Sequence, residues 1–232
     1  MDQIDHAIVR VHEASAKGSC APVFWRKPNG RMTNGTVTFV RTPSQVLGVT
    51  NAHVADGLLN SDGGGWQLGG AQFHPKRLID RHATLDLATF ELSDVFLATA
   101  GGSAATVPTW PPVGPSVGDP IMLGGYPGTH REQVPGSVNF SFAWFAGKVE
   151  SVSETTTGLA LNLGTSISTS PERIAAHSDL GGCSGGPVFR VVDSGGIERL
   201  ELTAIIFEYS TEYEIMRAHL LTDLAPDGLF SA

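Results

Sequence analysis

Apolar and polar positions alternate with period two over residues 35–41, which puts Val37 and Phe39 on one face of a predicted strand. A second run, 45–50, follows across a Thr42-Pro43-Ser44 turn, so the two are predicted to form a hairpin. Further short apolar runs at 85–92, 121–123, 141–149, 159–163, 187–192 and 200–207 are also predicted strands. Only residues 212–224, with Ile215, Met216, His219 and Leu220 at helical spacing, are predicted to form a helix. Residues 98–118 are dense in Gly, Ala, Ser, Thr and Pro and are predicted to join two halves, 1–108 and 109–232. Two small all-β halves suit two closed barrels, because closure removes exposed sheet edges.

Composition sharpens this picture. The chain holds 28 glycines and 14 prolines in 232 residues, a turn-rich content that favours short strands over long helices. Hydrophobic residues make up 41%, enough to bury a core. The formal net charge is −8, and no cluster of Lys and Arg stands out, which argues against a nucleic-acid partner. No apolar run approaches the ~18 residues of a membrane span. The start, Met1-Asp2-Gln3-Ile4-Asp5-His6, lacks the basic and apolar regions of a secretion signal. Two cysteines, Cys20 and Cys183, are few for a secreted protein of this size. A reduced, cytoplasmic protein is therefore expected. None of the remaining histidines has a second His or Cys at metal-ligand spacing, so no metal and no cofactor is assigned.

Three segments carry candidate chemistry. His53 follows an apolar strand within Thr50-Asn51-Ala52-His53-Val54. Asp86 lies in Leu85-Asp86-Leu87-Ala88. Ser184 lies in Gly181-Gly182-Cys183-Ser184-Gly185-Gly186-Pro187. A serine hydroxyl is a weak nucleophile until a base takes its proton, and histidine is the usual base. A buried carboxylate on the other imidazole nitrogen fixes the tautomer. The oxyanion that forms needs preorganised donors, and the backbone N–H groups of Gly182 and Ser184 are placed to supply them. Taken singly, each segment is as well explained by a structural histidine, a capping aspartate or a glycine-rich turn. Their chain order, His, Asp, Ser, is one of the orders described for serine hydrolases, and it is opposite to that of α/β-hydrolase esterases.

These motifs resemble those of the chymotrypsin-like (trypsin-like) serine peptidases. Thr50 to Val54 is similar to the family's histidine motif, nearest the form of bacterial HtrA-type members, and Asp86-Leu87-Ala88-Thr89-Phe90 is similar to its aspartate motif. Gly182-Cys183-Ser184-Gly185-Gly186-Pro187 resembles its nucleophile motif. Val117-Gly118-Asp119-Pro120 and Gly124-Gly125-Tyr126-Pro127-Gly128 resemble the strand and turn that open the second barrel. The resemblance implies two six-stranded antiparallel β-barrels, a site in the cleft between them, a polypeptide substrate and hydrolysis through an acyl-enzyme. With the predicted helix, the expected fold is all-β with a short C-terminal helix. By the same likeness the substrate pocket is lined by Ser178, Asp179, Phe207, Glu208 and Tyr209. Asp179 or Glu208 directed into it would favour Lys or Arg beside the cut bond.

Cys183 occupies the position where secreted digestive relatives carry an aspartate that pairs with a newly cut N-terminus. Cys183 cannot form that ion pair, so activity is expected not to depend on N-terminal cleavage, and control by a regulatory partner protein is expected instead. The competing expectation is a catalytically silent protease-fold binding or scaffold protein, with the triad unassembled or the cleft blocked by Tyr209.

Overall fold

The computed structural model describes residues 3–27, 29–61, 66–74, 77–160, 179–210, 212–213 and 215–231. Helix α1 (Gln3–Gly18) leads into strands β1 (Cys20–Arg26), β2 (Met32–Arg41) and β3 (Val46–Thr50). Helix α2 (Ala52–Leu59) follows, then β4 (Gln67–Leu68), β5 (Ala71–Gln72), β6 (Leu78–His82) and β7 (Leu87–Leu92), helix α3 (Asp94–Ala100) and β8 (Ala105–Thr106). The second series is β9 (Pro120–Gly125), β10 (Arg131–Val134), β11 (Ser137–Phe140), β12 (Ala143–Val152), β13 (Thr156–Ala160), β14 (Pro187–Asp193), β15 (Glu198–Ser210) and β16 (Ile215–Leu220).

The first eight strands form one sheet along the path β5-β4-β1-β2-β3-β7-β6, with β8 paired parallel to β2. Strand β3 is buried along its whole length, because β2 and β7 flank it and its side chains enter the core of this half (Val46) and the seam with the second half (Leu47, Val49). Val37, Phe39, Leu58, Phe73 and Phe90 fill the core of this half. The second series closes into a six-stranded ring, β12-β13-β16-β15-β14-β9, around Leu123, Phe145, Val188, Ile206 and Met216. A third apolar cluster, with Cys20, Leu47, Val49, Trp144, Phe189 and Ile205, welds the two halves together. The mostly antiparallel, two-part architecture of the double-barrel fold expected from the motifs is thus present, with the second part a closed six-stranded barrel and the first an open path of strands. The first sheet carries eight strands rather than six.

Two predicted elements need correction. The C-terminal helix over 212–224 is replaced by β16, which pairs with β13 on one side and β15 on the other. Its inward-facing residues Met216, Ala218 and Leu220 fill the ring while Arg217 is exposed, and over five or six residues such a pattern fits either period. Conversely, α1 lies outside the predicted elements; near its C-terminal end His12 and Ala16 are buried while Val11 is exposed, the reverse of what residue type suggests. The predicted linker over 98–118 in fact contains the end of α3 and β8.

Candidate active site

Asp86 is built into the first turn of α2. It adopts a left-handed backbone with φ of 48°, uncommon for a residue with a side chain. Its carbonyl accepts from the Ala52 N–H at 3.0 Å and from the Asn51 side-chain amide at 2.9 Å. Its carboxylate accepts from the His53 N–H at 2.9 Å through Oδ1 and meets His53 Nδ1 at 2.7 Å through Oδ2. A carboxylate on the exposed N–H groups that open a helix is electrostatically favoured. Burial pushes the Asp86 carboxyl up, but the side-chain and backbone hydrogen bonds from His53 outweigh it and hold the group below the ordinary carboxylate value. Asp86 is therefore ionised at neutral pH and locks Nδ1 as the protonated nitrogen, leaving Nε2 as a base. The His53 side chain is 53% exposed, so Nε2 is open to a substrate.

Ser184 comes from the other half. The loop before β14 is stitched to β2 by two buried residues, Thr36 and Thr38. The Thr36 N–H donates to the Ser184 carbonyl at 2.8 Å, and its hydroxyl donates to the Gly182 carbonyl at 2.8 Å. That hydroxyl also accepts from the Tyr126 N–H at 3.1 Å. Thr38 donates to the Gly185 carbonyl at 2.8 Å, and Thr50 donates to the Thr36 carbonyl at 2.7 Å. Thr50 is three residues before His53 along the chain, so this network brings the serine loop beside the histidine turn. Gly185 has φ of +92°, and a Cβ there would lie 1.9 Å from the Thr36 carbonyl oxygen. Only glycine permits this approach.

The amide orientations in the loop follow from trans-peptide geometry, in which N–H and the preceding C=O point in opposite directions. The Gly181 carbonyl accepts from the Gly128 N–H at 2.7 Å, and the Cys183 carbonyl accepts from the Gly186 N–H at 2.8 Å. The N–H groups of Gly182 and Ser184 therefore face away from these bonds, and neither finds an acceptor among the described residues. Gly182 has φ of +104° and is packed against Asn34, whose side-chain amide would lie 2.5 Å from an added Cβ. The Ser184 hydroxyl itself is turned to the Phe207 carbonyl at 3.5 Å, and no hydrogen bond joins it to His53.

Beside Ser184 lies a cavity of about 260 Å³ lined by Asp179, Phe207, Glu208, Tyr209 and Met216, among others. Four of the five residues expected at a substrate pocket are here; Ser178 lies outside the described residues. Both carboxylates have local partners: Glu208 pairs with Arg217 at 3.1 Å, and Asp179 accepts from the Gly181 N–H at 2.8 Å. That arrangement gives no support to an unpaired acidic pocket selecting Lys or Arg. Cys183 is a free, fully buried thiol whose pKa burial raises, as a packing residue requires. Among the described residues no group of three or more His, Cys, Asp and Glu side chains is arranged to hold a metal.

Sequence reasoning missed Thr36, Asn34 and His219. Thr36 and Asn34 lie in an ordinary strand, and nothing in their local pattern marks the contacts they make across the cleft. His219 is buried and stacks on Phe207 with ring centroids 3.9 Å apart. Burial lowers its pKa from the ordinary 6.5, against smaller upward pulls from Asp86 and the Thr155 backbone. Its Nδ1 has no partner among the described residues. The unfolded chain binds a proton here more readily than the folded one, so stability falls as pH drops from about 6.5 toward the lower folded value. His219→Phe is expected to flatten that dependence, read as the difference in urea midpoint between about pH 7.5 and 5.5. Thr36→Val is expected to strand the Gly182 carbonyl and the Tyr126 N–H. It should cost about 2–4 kcal/mol in denaturant unfolding and lower any turnover at Ser184.

A closed antiparallel barrel packed on a strand-rich partner, with the His53–Asp86 pair on one half and the Ser184 loop on the other, has the arrangement of the double-barrel peptidase class. The model of the trypsin-like peptidase domain matches residues 33–195. The chain belongs to that family, whose members are serine endopeptidases. Among solved structures it is similar to a protease of M. tuberculosis in its active form, at 15% identity and a TM-score of 0.54, covering 92% of this chain and 81% of that one. It is also similar to a serine endoprotease of Yersinia pestis, at 15% identity and a TM-score of 0.53, covering 91% of this chain and 61% of that one. This chain thus spans about three fifths of the Yersinia enzyme's length. A Glu endopeptidase structure matches at 14% identity and a TM-score of 0.50, covering 89% of this chain and 86% of that one. At these identities the likeness is one of fold. No curated protein matches the chain. No helix among the described residues is long and apolar enough to cross a membrane.

Proposed function

We propose that the protein hydrolyses peptide bonds of polypeptide substrates through an acyl-enzyme, with Ser184 as nucleophile, His53 as general base and Asp86 as its orienting carboxylate. The observation that carries this reading is the 2.7 Å contact between His53 Nδ1 and Asp86, set beside a serine loop whose Gly182 and Ser184 N–H groups are unspent. His53 Nε2 takes the Ser184 proton as Oγ attacks the carbonyl carbon. The two N–H groups stabilise the oxyanion, and His53 then protonates the leaving amine. Water, activated by the same imidazole, releases the acyl group. The cavity beside Phe207, Glu208 and Tyr209 receives the side chain on the acyl side of the cut.

The Ser184 hydroxyl rests on the Phe207 carbonyl, and in the reading proposed here it must rotate toward His53 before attack. Cys183 offers no carboxylate for an N-terminal ion pair, so control falls to substrate or to a regulatory partner protein that sets this alignment. The free thiols of Cys20 and Cys183 suit a reducing, cytoplasmic setting. The same resting serine favours a second reading, a silent protease fold used for binding. A fluorophosphonate probe separates the two: covalent labelling that maps to Ser184 supports the peptidase. A pure, folded sample that never reacts, with or without peptide present, supports the scaffold.

A further inference from the structure

A second cavity, of about 370 Å³, borders the candidate oxyanion site on the side away from Phe207. Its lining includes Lys27, Arg31, Asn34, Arg131, Asp179 and Gly182. It shares Asp179 and Gly181 with the cavity beside Ser184, so the segment 179–182 is the wall between them. A polypeptide whose acyl-side residue enters the first cavity, and whose carbonyl meets Gly182, continues past that wall into the second.

This stretch of cleft is cationic in a chain of net charge −8. Lys27 and Arg31 face each other across the β1–β2 turn, which is fixed by the Lys27 N–H to Arg31 carbonyl bond at 2.9 Å and by the Asn29 side chain on the Arg31 N–H at 3.0 Å. Arg131, half-buried at the start of β10, donates to Asn34 Oδ1 at 2.8 Å, and Asn34 donates in turn to the Tyr126 carbonyl at 2.8 Å. Asn34 therefore ties one guanidinium directly to the turn beside Gly182. Among the described residues none of the three cations forms an ion pair. The one carboxylate on the wall, Asp179, is engaged by the Gly181 N–H. The crowding is felt locally, since burial and the neighbouring charge of Arg31 both lower the pKa of Arg131. Clustered unpaired cations raise the potential in a cleft and draw a carboxylate to it.

We infer that the cleft on the leaving-group side of the cut selects substrates with Asp or Glu within the first few residues after the scissile bond, through Lys27, Arg31 and Arg131. The inference rests on the peptidase reading and names its specificity. A proteome-derived peptide library is digested first, and acidic residues are expected to be enriched at the leaving-side positions. A cleaved sequence is then made as a Glu/Gln pair at the enriched position, each with an amidated and a free C-terminus. The Glu peptide is expected to have a kcat/KM about fivefold to tenfold higher at low salt, with the ratio shrinking as salt is added. The double variant Lys27→Glu/Arg31→Glu, on an exposed turn, is expected to remove or invert that ratio. Equal rates for the pair, a ratio untouched by the charge reversal, or discrimination that follows only the free C-terminus overturns the inference, while Ser184 labelling leaves the peptidase reading standing. Absence of both labelling and cleavage overturns both.

Discussion

Ser184→Ala is expected to abolish peptide hydrolysis, with kcat falling about 10⁴- to 10⁶-fold, and to eliminate fluorophosphonate labelling. His53→Ala should fall nearly as far, because nucleophile and base act as a unit and their losses do not add. Asp86→Asn is expected to cost less than either but to act on two levels. It removes the charge that holds His53 in the Nδ1–H tautomer, and it weakens the cap on the first turn of α2. Far-UV circular dichroism and the denaturation midpoint of Ser184→Ala should match wild type, since among the described residues its hydroxyl bonds only the Phe207 carbonyl, at 3.5 Å. Measurable turnover in the folded Ser184→Ala protein would place the nucleophile elsewhere.

The largest structural effect is expected from Gly185→Ala. The added methyl would lie 1.9 Å from the Thr36 carbonyl oxygen and 2.3 Å from the Thr50 hydroxyl, on a backbone with φ of +92°. Neither neighbour can yield cheaply. The Thr36 carbonyl is main chain in a central strand, and Thr50 ends β3 next to the histidine turn. The strained backbone and the steric overlap together are expected to cost about 3 kcal/mol or more, read from urea unfolding. Any folded fraction should lose turnover as well, because separating Gly185 from Thr36 moves Ser184 away from the His53 side of the cleft. An alanine variant with wild-type midpoint and turnover would show that the loop packs differently from this arrangement.

Much of the fold was legible because it is encoded locally. The alternation in β2, the apolar runs of β3, β7, β14 and β15, and the turns between them follow from residue type and spacing over a few positions. The candidate catalytic residues were legible for a related reason: a histidine, an aspartate and a glycine-flanked serine, each ordinary alone, stand together in a chain order described for serine hydrolases. Helix α1 and strand β16 were not. Near the end of α1 a histidine is buried and a valine exposed, and in β16 the inward-facing Met216, Ala218 and Leu220 sit in a short segment with an accidental helical spacing. The cationic lining of the second cavity was not legible either, since Arg131 lies far along the chain from Lys27 and Arg31 and joins them only when the β1–β2 turn meets β10.

What the sequence determined by itself is the inventory: antiparallel strands in two groups, a base, a carboxylate and a hydroxyl in a set order, and glycines where a backbone must come close. What only the tertiary structure decided is who touches whom across the cleft. Thr36 holding the serine loop, Asp86 capping the helix that carries His53, and Asn34 linking Arg131 to the glycine turn are contacts between residues far apart along the chain. Local propensity carries no information about such pairs, because their hydrogen bonds form only after the two cores have packed and the intervening water has been expelled.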